Sequence, residues 1–109
     1  MRAVVLRAPG GPDQVVCEQV ETPAPGRGEA TGRGVFYGIR ELCESVDDMK
    51  ALGLSRGTEG KTVSVQGLGN VGAHGALILQ EEGGAKIVAI GEWDGSILNP
   101  KGLDVKAVI

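Results

Sequence analysis

The residues best able to do chemistry are six in a row: Gly67-Leu68-Gly69-Asn70-Val71-Gly72. With 19 glycines among 109 residues, a GxGxxG pattern arises easily by chance, so its surroundings must carry the weight. Ahead of it, Lys61-Thr62-Val63-Ser64-Val65-Gln66 alternates as a strand does. Behind it, Asn70 to Glu82 is helical in pattern and ended by Gly83-Gly84. Lys86-Ile87-Val88-Ala89-Ile90 follows as a nearly all-apolar run, the mark of a parallel strand covered on both faces. In such a βαβ unit Gly67 permits the tight turn, Gly69 lets the backbone approach a pyrophosphate, and Gly72 lets the helix pack on the sheet. The opening amides of the helix, at Asn70, Val71 and Gly72, make the anion site with the helix dipole behind them. Glu92 lies 20 positions after Gly72 and would accept hydrogen bonds from both adenine-ribose hydroxyls. That favours NAD over NADP, whose 2′-phosphate would meet a carboxylate. The plain alternative is a glycine-tolerant turn beside a solvated glutamate.

Other reactive side chains carry little. His74, the only histidine, has no Ser, Cys or Asp placed for a relay and reads as a packing or surface residue. Cys17 and Cys43 lack zinc-site spacing, and Cys43 reads as a buried structural thiol. Asp47-Asp48 and Glu81-Glu82 read as solvated pairs near helix C-termini, and Trp93 is either beside an adenine or a packing or surface residue. No catalytic residue and no metal site is assigned.

These residues need elements to hold them. Val35, Ile39, Leu42, Val46 and Met49 recur at helical spacing, which predicts one long helix from Thr31 or Gly32 to a stop at Gly53. Met1–Leu6 and Val15–Val20 read as two β-runs around the Pro9-Gly10-Gly11-Pro12 turn, and Pro23 to Gly28 as a linker. Asp94-Gly95 begins a turn, Asn99-Pro100-Lys101-Gly102 makes another, and Leu103 to Ile109 reads as a helix. The expected fold is α/β: a partial Rossmann-like βαβ unit preceded by a long helix, with an N-terminal β-hairpin. Two parallel strands and a hairpin should form one small sheet with exposed apolar faces, hence marginal stability or a homo-oligomer.

Composition narrows the partners. Eleven basic against 14 acidic residues give a net charge of −3, and there are only three aromatics. Neither suits a nucleic acid or an anionic membrane. No apolar run approaches about 18 residues, and the N-terminal one is too short for a signal peptide, so a cytoplasmic location is expected.

Glu29-Ala30-Thr31-Gly32-Arg33-Gly34-Val35, the helix after it, the Val65–Gly72 run, and Gly91-Glu92-Trp93-Asp94-Gly95 through Leu103-Asp104 resemble the glutamate/leucine/phenylalanine/valine dehydrogenase family, its glutamate-specific branch above all. The resemblance covers residues 29–109. It implies an NAD(P)-binding segment in which Thr31 contacts the nicotinamide end of the cofactor and Asn70 lies at its phosphates. The reaction it implies is oxidative deamination of L-glutamate to 2-oxoglutarate. Met1–Leu6, Gly10-Gly11-Pro12 and Pro23–Glu29 instead resemble the opening of the medium-chain zinc-type alcohol dehydrogenase and quinone reductase family, whose first hairpin is GroES-like. A chimera is therefore expected, natural or engineered, with a foreign hairpin over residues 1–28 and a partial cofactor domain over 29–109. In the first family the catalytic lysine and aspartate precede the ATGxG segment, and Lys50, Lys61 and Lys86 match no catalytic motif. The fragment is expected to be inactive alone. The alternative is a non-enzymatic chimera with only a structural role.

Overall fold

The computed structural model describes residues 2–6, 12–21, 26 and 28–109, with only the backbone of residues 3–6. The expected Pro9-Gly10-Gly11 turn and most of the Pro23–Arg27 linker lie outside the described residues. Strands β1 (Arg2–Leu6) and β2 (Val15–Gln19) pair antiparallel, Arg2 opposite Gln19 and Leu6 opposite Val15, with a 3-10 turn at Pro12–Gln14. The hairpin is as expected, but it is its own two-stranded sheet and adds nothing to the main one.

The predicted long helix is two helices, α1 (Glu29–Glu44) and α2 (Val46–Leu52). Ser45 breaks it by leaving helical geometry (ψ 113°) and accepting a hydrogen bond at its hydroxyl from the Asp48 amide. Asp47 and Asp48 thus occupy the first turn of α2, where acids suit the helix dipole, and not a helix C-terminus as expected. Gly53 ends α2 as expected. Helix α1 starts before Thr31, because Gly28 supplies a left-handed residue (φ +76°) ahead of Glu29.

The buried face of α1 also differs from the predicted one. Gly32, Phe36 and Cys43 are buried, whereas Val35, Leu42 and, on α2, Val46 stand about half-exposed or more. The apolar arc is wider than the surface available to cover it, and α3 (Asn70–Glu81) selects one flank by a close crossing. At that crossing a Cβ on Gly32 would lie 2.8 Å from the Gly75 nitrogen and 3.0 Å from the His74 Cβ. Only glycine lets the two backbones meet.

The second sheet has the order β3-β4-β5. Strands β3 (Thr62–Gln66) and β4 (Lys86–Glu92) run parallel, and α3 crosses between them as the βαβ reading requires. Strand β4 carries one extra residue, Val88, where the register shifts. The bulge turns Ile87 and Ile90, three apart, both into the core, so β4 is buried through these two rather than evenly on both faces. The chain then reverses through Trp93-Asp94 into β5 (Gly95–Leu98), an antiparallel edge strand of four exposed residues that the sequence did not announce. Ser96-Ile97-Leu98 is too short for a readable alternation; pairing with β4 makes it a strand. Helix α4 is one turn, Val105–Val108, shorter than the expected 103–109. Gln80 of α3 pins it by donating to the Leu103 carbonyl (2.6 Å) and accepting from the Val105 amide (3.1 Å).

The core is Phe36, Ala76, Ile78, Leu79, Ala85, Ile87, Ile90 and Val105. Across its rim Arg33 of α1 forks onto Glu82 with N–O distances of 3.0 and 2.9 Å. The guanidinium holds the Glu82 carboxyl below its ordinary value. A depressed carboxyl stabilises the fold above its unfolded pKa and loses that contribution as pH falls through the folded one. Two outcomes follow. Gly32→Val should cost roughly 1–3 kcal/mol or more by overpacking the α1–α3 crossing, read as a lower Tm. Glu82→Gln should melt below the parent at pH 7, and the gap should close as both are acidified through the carboxylate range.

Candidate functional site

The site lies at the carboxyl ends of β3 and β4, where open α/β sheets hold their ligands. The glycines there do three separate jobs. Gly67 takes φ +84°, which turns the chain out of β3, and its amide donates to the Gly91 carbonyl of β4 at 2.8 Å. Gly72 lies in the first turn of α3, where a Cβ would sit 1.8 Å from the Gly67 carbonyl oxygen. Gly69 is neither strained nor crowded: its φ is −71°, and a Cβ would meet nothing within 4 Å. The open space at Gly69 is on the side where the sequence reading set a pyrophosphate.

Gly69 is also the N-cap of α3, and no side chain caps the helix. The Ala73 amide bonds back to the Gly69 carbonyl at 2.9 Å, leaving the opening amides of Asn70, Val71 and Gly72 without a side-chain acceptor. Such amides, aligned with the helix dipole, suit an anion. The residues present therefore fit a dinucleotide phosphate.

Glu92 ends β4 and is exposed. Its carboxylate has a partner that spacing could not reveal: Oε1 accepts a hydrogen bond from the Leu68 amide. One carboxylate oxygen thus ties the exposed acid to the glycine turn. Trp93 beside it is 93% exposed, which excludes a packing role.

Thr31 is exposed on the first turns of α1, beside the buried Gly32. This end of α1 is brought to the glycine turn by Gly28, whose Cβ would lie 2.4 Å from the Asn70 carbonyl. The structure thus gathers Gly67, Gly69, Asn70, Val71, Gly72 and Glu92 at the strand ends and sets the start of α1 against Asn70. Gly28 was missed as part of this site because it reads as linker. Its only signal is its place three residues before Thr31. His74 is half-buried, with its Cβ against Gly32, and serves the helix crossing. Lys61 donates to the Ser55 and Gly57 carbonyls and organises a loop. Among the described residues no group of three or more His, Cys, Asp or Glu could hold a metal.

The three glycines predict opposite outcomes. Gly69→Asp should keep or slightly raise Tm, because aspartate is a good N-cap and its Cβ has room. Gly72→Ala should unfold the turn or lower Tm steeply, because its methyl group would overlap a backbone oxygen. Thermal melts of the two variants check this.

A model of the Glutamate/Leucine/Phenylalanine/Valine dehydrogenase family matches residues 24–109. The chain is 46% identical over 83 residues to the mitochondrial glutamate dehydrogenase of Dictyostelium discoideum, covering 76% of this chain and 16% of that one. It is 44% identical over 84 residues to the glutamate dehydrogenase of Thermotoga maritima, covering 77% and 18%. Among solved structures it matches the hetero-hexameric glutamate dehydrogenase of Thermus thermophilus in its leucine-bound form, with a TM-score of 0.62 and 36% identity over 78% of this chain and 18% of that one. The chain thus spans less than a fifth of the length of these relatives. Over most of its length it belongs to the Glutamate/Leucine/Phenylalanine/Valine dehydrogenase family.

Proposed function

We propose that the chain binds the adenosine and pyrophosphate portion of a nicotinamide dinucleotide, with NAD preferred to NADP. The observation that carries this is the uncapped start of α3, with Gly69 facing open space at the carboxyl end of β3. The amides of Asn70, Val71 and Gly72 take the phosphates. Glu92, held by the Leu68 amide, offers Oε2 to a ribose hydroxyl and repels a 2′-phosphate. Thr31 points the nicotinamide end toward α1, as in the family resemblance. Bound there, the dinucleotide would supply hydride acceptance for the oxidative deamination of L-glutamate.

This chain alone performs no turnover. Its lysines offer no substrate-polarising group: Lys61 is committed to loop carbonyls, and Lys50 and Lys86 are exposed on α2 and β4. The residues ahead of the family match come from another parent, with a hairpin like that of the zinc-type alcohol dehydrogenases. Gly26 and Gly28 belong with the cofactor side. Gly26 donates to the Glu29 carboxylate at 3.0 Å, and Gly28 seats on Asn70, so the junction falls ahead of them. The partners are the dinucleotide and a second copy of the chain meeting it through exposed apolar faces.

Titration calorimetry with NAD should give weak binding, with a Kd near the millimolar range, about −4 kcal/mol. Trp93 emission should change in parallel. Gly69→Asp should abolish both signals while keeping its melt. No heat and no emission change would overturn the binding reading, and glutamate-dependent NADH production by the pure chain, abolished by Gly69→Asp, would overturn the absence of turnover.

A further inference from the structure

Helix α3 starts without the device that ordinarily holds a helix start. A serine, threonine, asparagine or aspartate at the N-cap fixes the first turn by accepting from one of its amides. Gly69 offers no such acceptor, and helix ends left to themselves fray. An anion site made of these amides needs them free and needs the turn that carries them to stay wound. A cap side chain would give the second at the expense of the first.

The chain entering α1 lies on that turn. Gly28, at φ +76°, comes so near the first residue of α3 that its Cβ would stand 2.4 Å from the Asn70 carbonyl and 2.7 Å from the Asn70 Cβ. One turn further along α3, His74 Nε2 is 3.8 Å from where a Cβ of Gly26 would be. Asn70 and His74 are four apart and share one face of the helix, so Gly26 and Gly28 meet that face at two points. Glu29 closes this segment on itself. Its Oε2 accepts from the Gly26 amide at 3.0 Å, and its own amide donates to the Gly26 carbonyl at 3.2 Å. The first bond is half of a capping box, and the Gly26 carbonyl takes the part of the missing cap side chain. Neither bond reaches α3; together they set where Gly28 sits.

We infer that Glu29 is a positioning residue for the dinucleotide phosphates. By closing on Gly26 it seats Gly28 on Asn70, and so holds the first turn of α3 wound while its amides stay free. The inference rests on the nucleotide reading and names the residue that preorganises its anion site. A side-chain oxygen that would quench an amide at position 69 is replaced by one spent on another helix. What reaches α3 is the Gly28 backbone, which restrains Asn70 by packing and takes none of the amides. A turn already wound spares the ligand the cost of ordering it, which raises affinity without adding a contact.

Two variants separate this role from ordinary capping of α1. Glu29→Ala removes the acceptor, whereas Glu29→Gln keeps it, because its amide oxygen takes the same bond. Both remove the charge that suits the start of α1. Hydrogen exchange followed by NMR reads the first turn of α3 at the Ala73 amide, which donates to the Gly69 carbonyl. Glu29→Ala should speed that exchange roughly 5-fold, about 1 kcal/mol, the equivalent of losing a cap. It should weaken NAD binding by a similar factor, read by titration of Trp93 emission, with an unchanged far-UV spectrum. Glu29→Gln should match the parent in both measurements. A lower Tm with unchanged Ala73 exchange in Glu29→Ala would assign the side chain to α1 alone and overturn the inference. Equal effects of the two variants would overturn it as well, because charge and not the bond would then be responsible. NAD binding unaltered by Glu29→Ala overturns this inference and leaves the nucleotide reading standing, whereas a parent that binds no NAD overturns both.

Discussion

A carbonyl oxygen stands where the Cβ of residue 72 would be, and the rest of the structure depends on that contact. Because residue 72 is glycine, whose Cβ would lie 1.8 Å from the Gly67 carbonyl oxygen, α3 can begin directly at the end of β3 and lie back on the sheet. The same economy recurs twice along α3. Gly28 rests on the Asn70 backbone, and Gly32 crosses Gly75 with backbone against backbone. These approaches fix α1 against α3 and bury Phe36 beside Leu79 and Ala76. The glycines that give the domain its shape are therefore distinct from the one that leaves room for a ligand.

That division explains a cost the fold carries. A helix whose N-cap is glycine has opening amides without a side-chain acceptor, and a serine or aspartate there would satisfy one. At Gly69 the amides stay available, and the nearest acid, Glu92, spends one oxygen on the Leu68 amide instead. The hydrogen bond fixes the turn from the side while the helix end stays open. Stability withheld at one residue is the condition for recognising an anion by backbone groups alone.

The chemistry-bearing turn was legible because its signal is local. Gly67 to Gly72, the strands on either side and Glu92 can each be read from a few neighbours, and all stand where the βαβ logic sets them. What spacing left unreadable was non-local. The choice between Val35 and Phe36 as the inner face of α1 is made by Gly75 on another helix. Ser45 breaks the helix within an apolar period that continues across it. Strand β5 exists through its pairing, and the inward turn of both Ile87 and Ile90 comes from a bulge measured against β3. Gly28 reads as linker until Asn70 is found against it.

Locality also separates the proposed recognition of a pyrophosphate from hydride transfer. Pyrophosphate recognition needs one strand end, one helix start and one neighbouring carboxylate, all between residues 67 and 92. Hydride transfer needs a substrate held and polarised at the far end of the cofactor, by groups whose positions relative to the glycine turn are set by other layers of structure. The wide apolar flank of α1 and the unpaired edge of β3 are where such layers would attach.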